Sequence, residues 1–405
     1  MFPSKALLSL LILAVSYSSV EAKPVIARDA SKISLPFAAK INATGAGTIA
    51  AADRARAKVL KEKALARQGS SKRAASFDVD NATANVGVGS PATDYTLLID
   101  TGSSNTWIGA DKSYTKTSTS KDTGGSVSVT YGSGSFSGEE YTDTVTLADG
   151  LVITGQGVGV ASSASGFSGV DGILGIGPVD LTSGTVSNAD TVPTVTDNLL
   201  SQGTISTEVI GIYYAPAAES DSTGTLTFGG TDSDKFTGDI VYTPVTSTYP
   251  ASAYWGIDQT VTYGSTSILS STAGIVDTGT TLILLATDAY NKYVKATGAK
   301  EDNSVGLLSI SQSQYNSLSS LNFEIGGSTF SLSPNAQIWP RSLNTDIGGS
   351  ADSIYLVVAD LGSNSGEGLD FIDGYTFLER YYSVFDTSNS QVGFASTAFT
   401  DSESN

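Results

Sequence analysis

Two stretches of this sequence share one pattern: Leu-Leu-Ile-Asp-Thr-Gly-Ser at residues 97–103 and Gly-Ile-Val-Asp-Thr-Gly-Thr at residues 274–280. In each, an apolar strand runs into Asp-Thr-Gly, and a hydroxyl residue follows. A single Asp-x-Gly is typical of an ordinary turn. Two copies in matching apolar surroundings, with Asp100 and Asp277 177 residues apart, instead predict two equivalent loops that build one site.

The composition of the repeated loop suits acid–base chemistry at a pair of carboxyl groups. The apolar strand carries the aspartate into the interior, the glycine lets the backbone turn and approach closely, and the hydroxyl can orient the carboxylate. Two such loops facing each other would bring the carboxyl groups into contact, where they share one proton. One carboxylate can then act as base on a water while its partner acts as acid. The residues that would support the two aspartates are Thr101, Gly102, Ser103, Thr278, Gly279 and Thr280.

The sequence contains neither histidine nor cysteine, and this narrows the possible chemistry. Without histidine there is no Ser-His-Asp triad, no Cys-His pair and no imidazole metal site. Without cysteine there are no disulfides, thiolate zinc sites or thiol nucleophiles. Any catalytic activity must use carboxylates, hydroxyls, lysines or tyrosines, and we expect no metal and no cofactor.

Most of the chain after residue 74 alternates short β-branched and aromatic stretches with Gly, Ser, Asn and Asp, which is typical of strands joined by turns. The predicted strands include 85–89, 95–100, 127–131, 140–147, 152–160 and 225–228. Short helices are predicted at 288–297 and 312–321. With 405 residues and 40% apolar content, the chain can bury one large or two medium cores. We therefore predict an all-β protein.

The first 22 residues have the pattern of a secretory signal peptide. Lys5 is followed by an apolar run, and a polar stretch then ends at Val20-Glu21-Ala22 with small residues at the positions that matter for cleavage. The apolar run is short of the roughly 20 residues that span a bilayer. The C-terminal residues have no hydrophobic tail of the kind a lipid anchor needs. We expect a secreted, extracellular protein that does not associate with membranes.

Residues 23–73 are predicted to form a propeptide. They hold twelve Lys and Arg against three acidic residues, a net +9, whereas residues 74–405 hold nine against 36, a net −27. Alanines and basic residues recur at helical spacing over 51–65, and the segment ends at Lys72-Arg73. A solvated basic linker is the alternative, but the position between a signal peptide and a dibasic pair favours a propeptide. We expect such a segment to dock on the acidic body while carboxylates are ionised and to be released as they are protonated.

Further motifs accompany the repeat: DTGSSNTW at 100–107, YGSGS at 131–135, DGILG at 171–175, IVDTGTT at 275–281, FIDG at 371–374 and YYSVFD at 381–386. With these motifs the chain from about residue 85 to residue 399 resembles the pepsin-like aspartic proteases, most closely the secreted fungal enzymes of the polyporopepsin type. The resemblance implies a bilobal all-β fold with a cleft between the lobes, each lobe giving one aspartate. The N-terminal lobe would cover residues 74–245 and the C-terminal lobe residues 246–405.

The resemblance also implies roles for residues outside the repeat. Tyr131, Gly132 and Ser133 would form a hairpin flap over the substrate, and Trp107 would support the tyrosine through its indole N–H. An ordinary hairpin tip and a core tryptophan are the alternatives. The implied enzyme is a monomeric zymogen that works in acid on proteins or peptides and is inhibited by its own propeptide. We expect no nucleic-acid partner.

Two other functions stay open on the sequence alone: a catalytically silent relative that binds a peptide or inhibitor, and a carboxylate glycosidase. Silent relatives usually lose an aspartate or a key glycine, and this chain keeps both. A sugar cleft would need stacked aromatic residues, and the chain has only three tryptophans. Glycosylation sequons occur at Asn42 and Asn81; Asn81, in the body of the protein, is the candidate glycosylation site.

Overall fold

The computed structural model describes residues 33–38, 42–44, 47–66, 78–80, 82–132, 134–219 and 223–405, with only the backbone at 42–44 and 78–80. The predicted signal peptide, the Lys72-Arg73 pair, Asn81 and Ser133 lie outside the described residues.

The described residues are dominated by strands. The strands, in chain order, are β1 Ile33–Ala38, β2 Asn42–Thr44, β3 Asp78–Asp80, β4 Thr83–Val88, β5 Thr93–Asp100, β6 Thr106–Ile108, β7 Lys121–Thr130, β8 Ser135–Ala148, β9 Leu151–Ser165, β10 Gly172–Gly175, β11 Val209–Tyr214, β12 Thr223–Phe228, β13 Thr237–Pro244, β14 Gly256–Tyr263, β15 Thr266–Val276, β16 Ile283–Leu285, β17 Lys300–Asp302, β18 Leu307–Ile310, β19 Leu321–Ile325, β20 Ser328–Leu332, β21 Ile354–Leu356, β22 Val358–Asp360, β23 Phe371–Asp373, β24 Tyr381–Asp386 and β25 Gln391–Ser396. The helices are α1 Ile49–Ala66, α2 Val195–Ser201, α3 Thr287–Thr297, α4 Gln312–Tyr315 and α5 Tyr375–Leu378. The all-β prediction is confirmed.

The predicted helix at 312–321 is wrong after Tyr315. The helix α4 begins where predicted, because Ser311 and Gln314 form a capping box: the side chain of each accepts a hydrogen bond from the backbone N–H of the other. It ends at Tyr315. The following residues lead into β19, where Leu321 pairs with Tyr263 of β14. Tertiary pairing here overrides the local helical pattern.

Two large sheets form the two halves of the body. A 13-stranded sheet has the order β13-β25-β24-β11-β12-β1-β4-β5-β10-β6-β9-β8-β7, and a seven-stranded sheet has the order β20-β19-β14-β15-β23-β16-β22. The C-terminal strands β24 and β25 lie in the first sheet, where β24 pairs with β11. Strand β1, from the predicted propeptide, pairs with β12 along its whole length.

Each Asp-Thr-Gly follows a strand with the same surroundings. Strand β5 ends at Asp100 and lies parallel to β10, which is also paired with β6. Strand β15 ends one residue before Asp277 and lies parallel to β23, which is also paired with β16. Residues 97–100 are all buried, as expected for apolar strands covered on both faces. The repeat in the sequence therefore corresponds to a repeat in the fold.

The helix α1 confirms the helical spacing predicted for residues 51–65. Alanine, lysine and arginine are strong helix formers. Its buried face carries apolar residues at helical spacing, but also two charged ones, Asp53 and Arg56. Charged side chains are rarely fully buried unless paired, so this face must meet polar partners. Within the described ranges, no helix is both long and apolar enough to cross a lipid bilayer.

Candidate active site

The two Asp-Thr-Gly loops are fastened to each other by their threonines. Thr101 N donates to Thr278 Oγ1 at 3.0 Å, and Thr278 N donates to Thr101 Oγ1 at 2.9 Å. Each hydroxyl then donates across to the opposite strand, Thr278 to the Ile99 carbonyl at 3.0 Å and Thr101 to the Val276 carbonyl at 3.3 Å. Four reciprocal hydrogen bonds in a fully buried position fix the separation of the loops.

Each carboxylate is oriented by its own loop. Ser103 Oγ donates to Asp100 Oδ2 at 2.5 Å, and Thr280 Oγ1 donates to Asp277 Oδ2 at 2.6 Å. The backbone N–H groups of the two loop glycines donate to the other oxygens, at 2.9 Å and 3.2 Å. Both aspartates are completely buried. Of the residues that the sequence pattern grouped around the aspartates, Gly102, Ser103, Gly279 and Thr280 thus donate to the carboxylates, whereas Thr101 and Thr278 join the two loops.

Arg56 of α1 lies between the two aspartates. Its Nη2 donates to Asp100 Oδ1 at 2.5 Å and to Asp277 Oδ1 at 2.9 Å, while its Nε donates to Asp277 Oδ2 at 2.7 Å. The space is so tight that a Cβ on Gly102 or Gly279 would collide with the guanidinium. Only glycine at these two positions leaves room for a group between the carboxylates.

The buried ion pair shifts the titration of the site. Burial by itself would raise the pKa of Asp277, but the Arg56 guanidinium and the hydrogen bonds from Arg56 and Thr280 outweigh burial and hold that pKa below its usual range. For Arg56, burial would lower the pKa, but the two carboxylates raise it above its ordinary value. Arg56 and Asp277 therefore form a charged pair.

A second charged side chain of α1, Asp53, is buried one turn before Arg56. Its carboxylate accepts hydrogen bonds from the backbone N–H groups of Thr281, at 3.1 Å, and Leu282, at 2.8 Å. Burial raises the pKa of Asp53 to about 7, although both backbone bonds oppose the shift. Asp53 and Arg56 together attach α1 to the loop that follows Asp277.

Other contacts of α1 extend along the cleft. Tyr254 Oη donates to the Leu60 carbonyl at 2.6 Å. Lys61 forms an ion pair with Glu367 and donates to Ser363 Oγ at 3.2 Å. Lys63 Nζ lies 4.9 Å from the centre of the Tyr131 ring, which is within cation–π distance.

The predicted flap is the tip of the β7–β8 hairpin, where Tyr131 N donates to the Gly134 carbonyl at 2.7 Å. A Cβ on Gly132 would collide with the backbone of Arg56, so this hairpin lies directly on α1. Trp107 is buried beside the flap, with its ring centre 6.3 Å from that of Tyr131 and 4.2 Å from that of Phe136. Burial raises the pKa of Tyr131, and hydrogen bonding by the Trp107 and Ser103 side chains opposes that rise. Among the described residues, neither Trp107 Nε1 nor Tyr131 Oη has a partner at full hydrogen-bond geometry, so the support of Tyr131 by the indole N–H stays a prediction.

The sequence reasoning missed Arg56, Asp53 and the reciprocal role of the threonines. The helical spacing of residues 51–65 and the charge of +9 pointed to the right segment. Neither feature indicates which of the twelve Lys and Arg residues in that segment contacts the aspartates. In the part of the chain that the structure describes, no group of three or more acidic side chains is arranged to hold a metal ion.

Comparisons with known proteins agree with this geometry. Residues 82–397 match the family model for eukaryotic aspartyl proteases. The chain is 68% identical to polyporopepsin of Irpex lacteus over 325 residues, covering 79% of this chain and 95% of that protein. It is 33% identical to pepsin A of Sus scrofa over 336 residues, covering 77% and 80% of the two chains. The crystal structure of the aspartic proteinase from Irpex lacteus matches with a TM-score of 0.78 at 67% identity, covering 80% of this chain and 96% of that chain.

Proposed function

This chain belongs to the eukaryotic aspartyl protease family, and we propose that it is a secreted, acid-active endopeptidase, made as a zymogen, whose catalytic pair is Asp100 and Asp277. The observation that carries the proposal is the meeting of two buried carboxyl groups on one guanidinium, with matched hydroxyl and glycine N–H donors behind each. Its substrates would be proteins or peptides.

The chemistry follows once Arg56 has left the space between the carboxyl groups. Two carboxyls this close share one proton, because both cannot stay ionised. The ionised one takes a proton from a water, whose oxygen attacks the carbonyl carbon, and the protonated one donates to the carbonyl oxygen. The carboxyl group that took the proton from water then donates it to the nitrogen. The C–N bond breaks as one hydroxyl of the intermediate returns its proton to the other carboxylate, which releases a carboxylic acid and an amine and restores the shared proton. Ser103 and Thr280 would keep the carboxyl groups oriented throughout.

Tyr131, Gly132 and Ser133 would form the flap that covers the substrate, with Trp107 packed behind it. The contact between Gly132 and the Arg56 backbone supports this role, because the hairpin already closes on a polypeptide in the cleft. The backbone groups at its tip would donate to the peptide.

The zymogen proposal rests on the contacts of α1. Residues 23–73 would inhibit the enzyme because Arg56 occupies both carboxylates and the flap closes on the same residue. The ion pair of Lys61 with Glu367 is one local instance of the attraction between the +9 segment and the −27 body. An arginine suits this position because its planar fork binds carboxylates at several points and stays charged at every working pH.

Release in acid follows from the direction of the pKa shifts. The pKa of Asp277 is lowered in the docked state, so its contribution is full above the ordinary carboxyl range and is lost as the pH falls through the lowered value. Arg56 then stays buried without its ion pair to Asp277, which disfavours docking. Asp53 acts in the opposite direction. Burial raises the pKa of its carboxyl group from 3.8 to about 7, so its contribution to docking grows as the pH falls from about 7 to 3.8. Docking should therefore survive mild acid and fail in strong acid.

The processing scheme is a signal peptide at 1–22, a propeptide at 23–73, and lobes at 74–245 and 246–405 that act as a single-chain monomer carrying a glycan at Asn81. N-terminal sequencing of protein from the culture medium should give a start after Ala22 in the precursor and near residue 74 in the active form. Treatment with an endoglycosidase should lower the mass of the active form.

The cleavage test compares the wild type with D100N, D277N and the exposed control D149N. After acid activation, the wild type and D149N should cleave a denatured protein, and pepstatin should abolish the cleavage. D100N and D277N should be inactive, because neither can supply the shared-proton pair. Absence of pepstatin-sensitive cleavage in the wild type would refute the proposal. Pepstatin binding without cleavage would indicate a silent binder, and hydrolysis of a glycoside instead would indicate a carboxylate glycosidase.

A further inference from the structure

Asp373 is a buried carboxyl group that the proposed chemistry does not use. It is the last residue of β23 and is completely buried. Its Oδ1 accepts one hydrogen bond, from Gln259 Nε2 at 3.2 Å. Its Oδ2 has no hydrogen-bond partner among the described residues, and the same is true of Gln259 Oε1. A buried polar atom left unpaired is costly, so two of them on the same pair of side chains require an explanation.

The repeat in the fold shows that an acid is not required at this position. In the N-terminal half, β10 lies parallel to β5 with Leu174 opposite Ile99. In the C-terminal half, β23 lies parallel to β15 with Asp373 opposite Val276. Asp373 therefore takes the place that Leu174 takes in the other half. An aspartate where the equivalent strand has leucine needs a specific partner, and Gln259 of β14 is the one present.

The segment that begins at Asp373 holds the loop after Asp277. Asp277 N donates to the Asp373 carbonyl at 3.2 Å. Tyr375 N donates to the Thr280 carbonyl at 2.8 Å, and Thr376 N donates to the Thr281 carbonyl at 3.0 Å. Gly374 lies so close to the Thr280 and Leu282 carbonyls that a Cβ there would collide with both. A shift of β23 would therefore move the catalytic loop with it.

We propose that Asp373 is a positioning residue that stays protonated in the folded protein and forms a closed ring of two hydrogen bonds with Gln259. In this ring Gln259 Nε2 donates to Asp373 Oδ1, and the acid proton on Asp373 Oδ2 is donated to Gln259 Oε1. Both unpaired atoms are then satisfied by each other. The ring ties β14 to β23 beneath the Asp277 loop, and it opens when Asp373 loses its proton.

The surroundings of Asp373 favour the neutral form. Burial raises its pKa to about 7, against the smaller lowering effect of the Gln259 bond. The ionisable groups on the neighbouring elements are engaged elsewhere: Asp258 with Thr246, Asp277 with Arg56 and Thr280, Asp370 with Thr272, Tyr375 with the Ala215 carbonyl, Glu379 with the Ala217 N–H, and Arg380 with the Phe399 and Ser402 carbonyls.

The sign of the pH dependence follows from this shift. A carboxyl group whose pKa is raised by folding binds its proton more tightly in the folded state. Its contribution to stability is full below the ordinary value of 3.8 and is lost as the pH rises towards 7. Within that window, the unfolding equilibrium constant should rise by about tenfold per pH unit because of this group. Above pH 7 the effect should level off.

The test measures denaturant unfolding of the full chain at half-unit steps from pH 4 to pH 8. The variants are the wild type, D373N, D373L and D346N, the last of which makes the same substitution at an exposed aspartate. Asparagine can form the two-bond ring with Gln259 but cannot ionise. The ratio of the wild-type unfolding constant to that of D373N should therefore rise about tenfold per pH unit up to pH 7. The ratio for D346N should stay within a few-fold of constant, and D373L should be less stable than D373N because it leaves the Gln259 amide unpaired.

A ratio for D373N that is flat across pH 4 to 7 would overturn the proposal. If D373N fails to fold, NMR titration of ¹³C-labelled aspartate carboxyls in the D53N background decides instead. One aspartate should then titrate near pH 7, and finding none would overturn the proposal equally. These measurements read folding and protonation, so their outcome is independent of the cleavage assay. After acid activation, D373N should keep its pepstatin-sensitive activity to a higher pH than the wild type.

Discussion

Replacing Arg56 tests whether one side chain keeps the cleft shut. The guanidinium makes three hydrogen bonds of 2.5, 2.7 and 2.9 Å to two completely buried carboxylates. Removing one partner of such a buried pair costs about 3–5 kcal/mol. Since about 1.4 kcal/mol is a factor of ten, R56M should increase the undocked fraction of the precursor by a factor of about 10² to 10⁴. R56K should lie between R56M and the wild type, because lysine keeps the charge but loses the fork.

The assay is the initial rate at which the intact precursor cleaves an internally quenched peptide at pH 5, where Asp277 is ionised in the docked state. Gel electrophoresis of the same samples checks that the chain is uncut during the measurement. K58A is the matched control, because this substitution removes the same charge and Lys58 lies on the exposed side of the same helix. R56M should cleave from the start, whereas K58A and the wild type should show a lag. An R56M precursor as silent as K58A would show that Arg56 is not what closes the site.

Three further outcomes follow from the same contacts. S103A and T280A should each lower kcat by about 10- to 100-fold after acid activation, because a hydrogen bond to a charged group is worth about 1.5–3 kcal/mol. An unchanged pH–rate profile in both variants would contradict the assigned roles. Hydrogen exchange of the backbone amides of residues 49–66 should stay slow from pH 7 to mild acid and become fast only in strong acid, where Asp277 is protonated. Complete release of this helix already at pH 6 would contradict the pH dependence assigned to docking. D53N should remove the strengthening of docking between pH 7 and 4, seen as a flat dependence of the activation lag on pH in that range.

Much of the site could be predicted from the sequence because it is local. Asp100, Ser103, Asp277 and Thr280 stand in two short segments whose pattern is visible without knowledge of the fold. The helix at 49–66 was also visible, because its alanines and basic residues are strong helix formers. The resemblance to the pepsin-like proteases and the two-lobed all-β architecture are both confirmed. The roles of the flap residues and the domain boundaries stay predictions.

The amino-acid sequence alone limits the possible chemistry to a paired-carboxyl site in a strand-rich chain without histidine or cysteine. Which other side chains contact that pair depends on the folding of distant segments against each other. Arg56 lies 44 residues from Asp100 and 221 from Asp277, and Gln259 lies 114 residues from Asp373. Burial turns these distant pairs into strong interactions, since a low-dielectric interior raises the cost of any charge or polar atom left unpaired. The composition of the chain and the spacing of its motifs do not indicate which residues will be buried together.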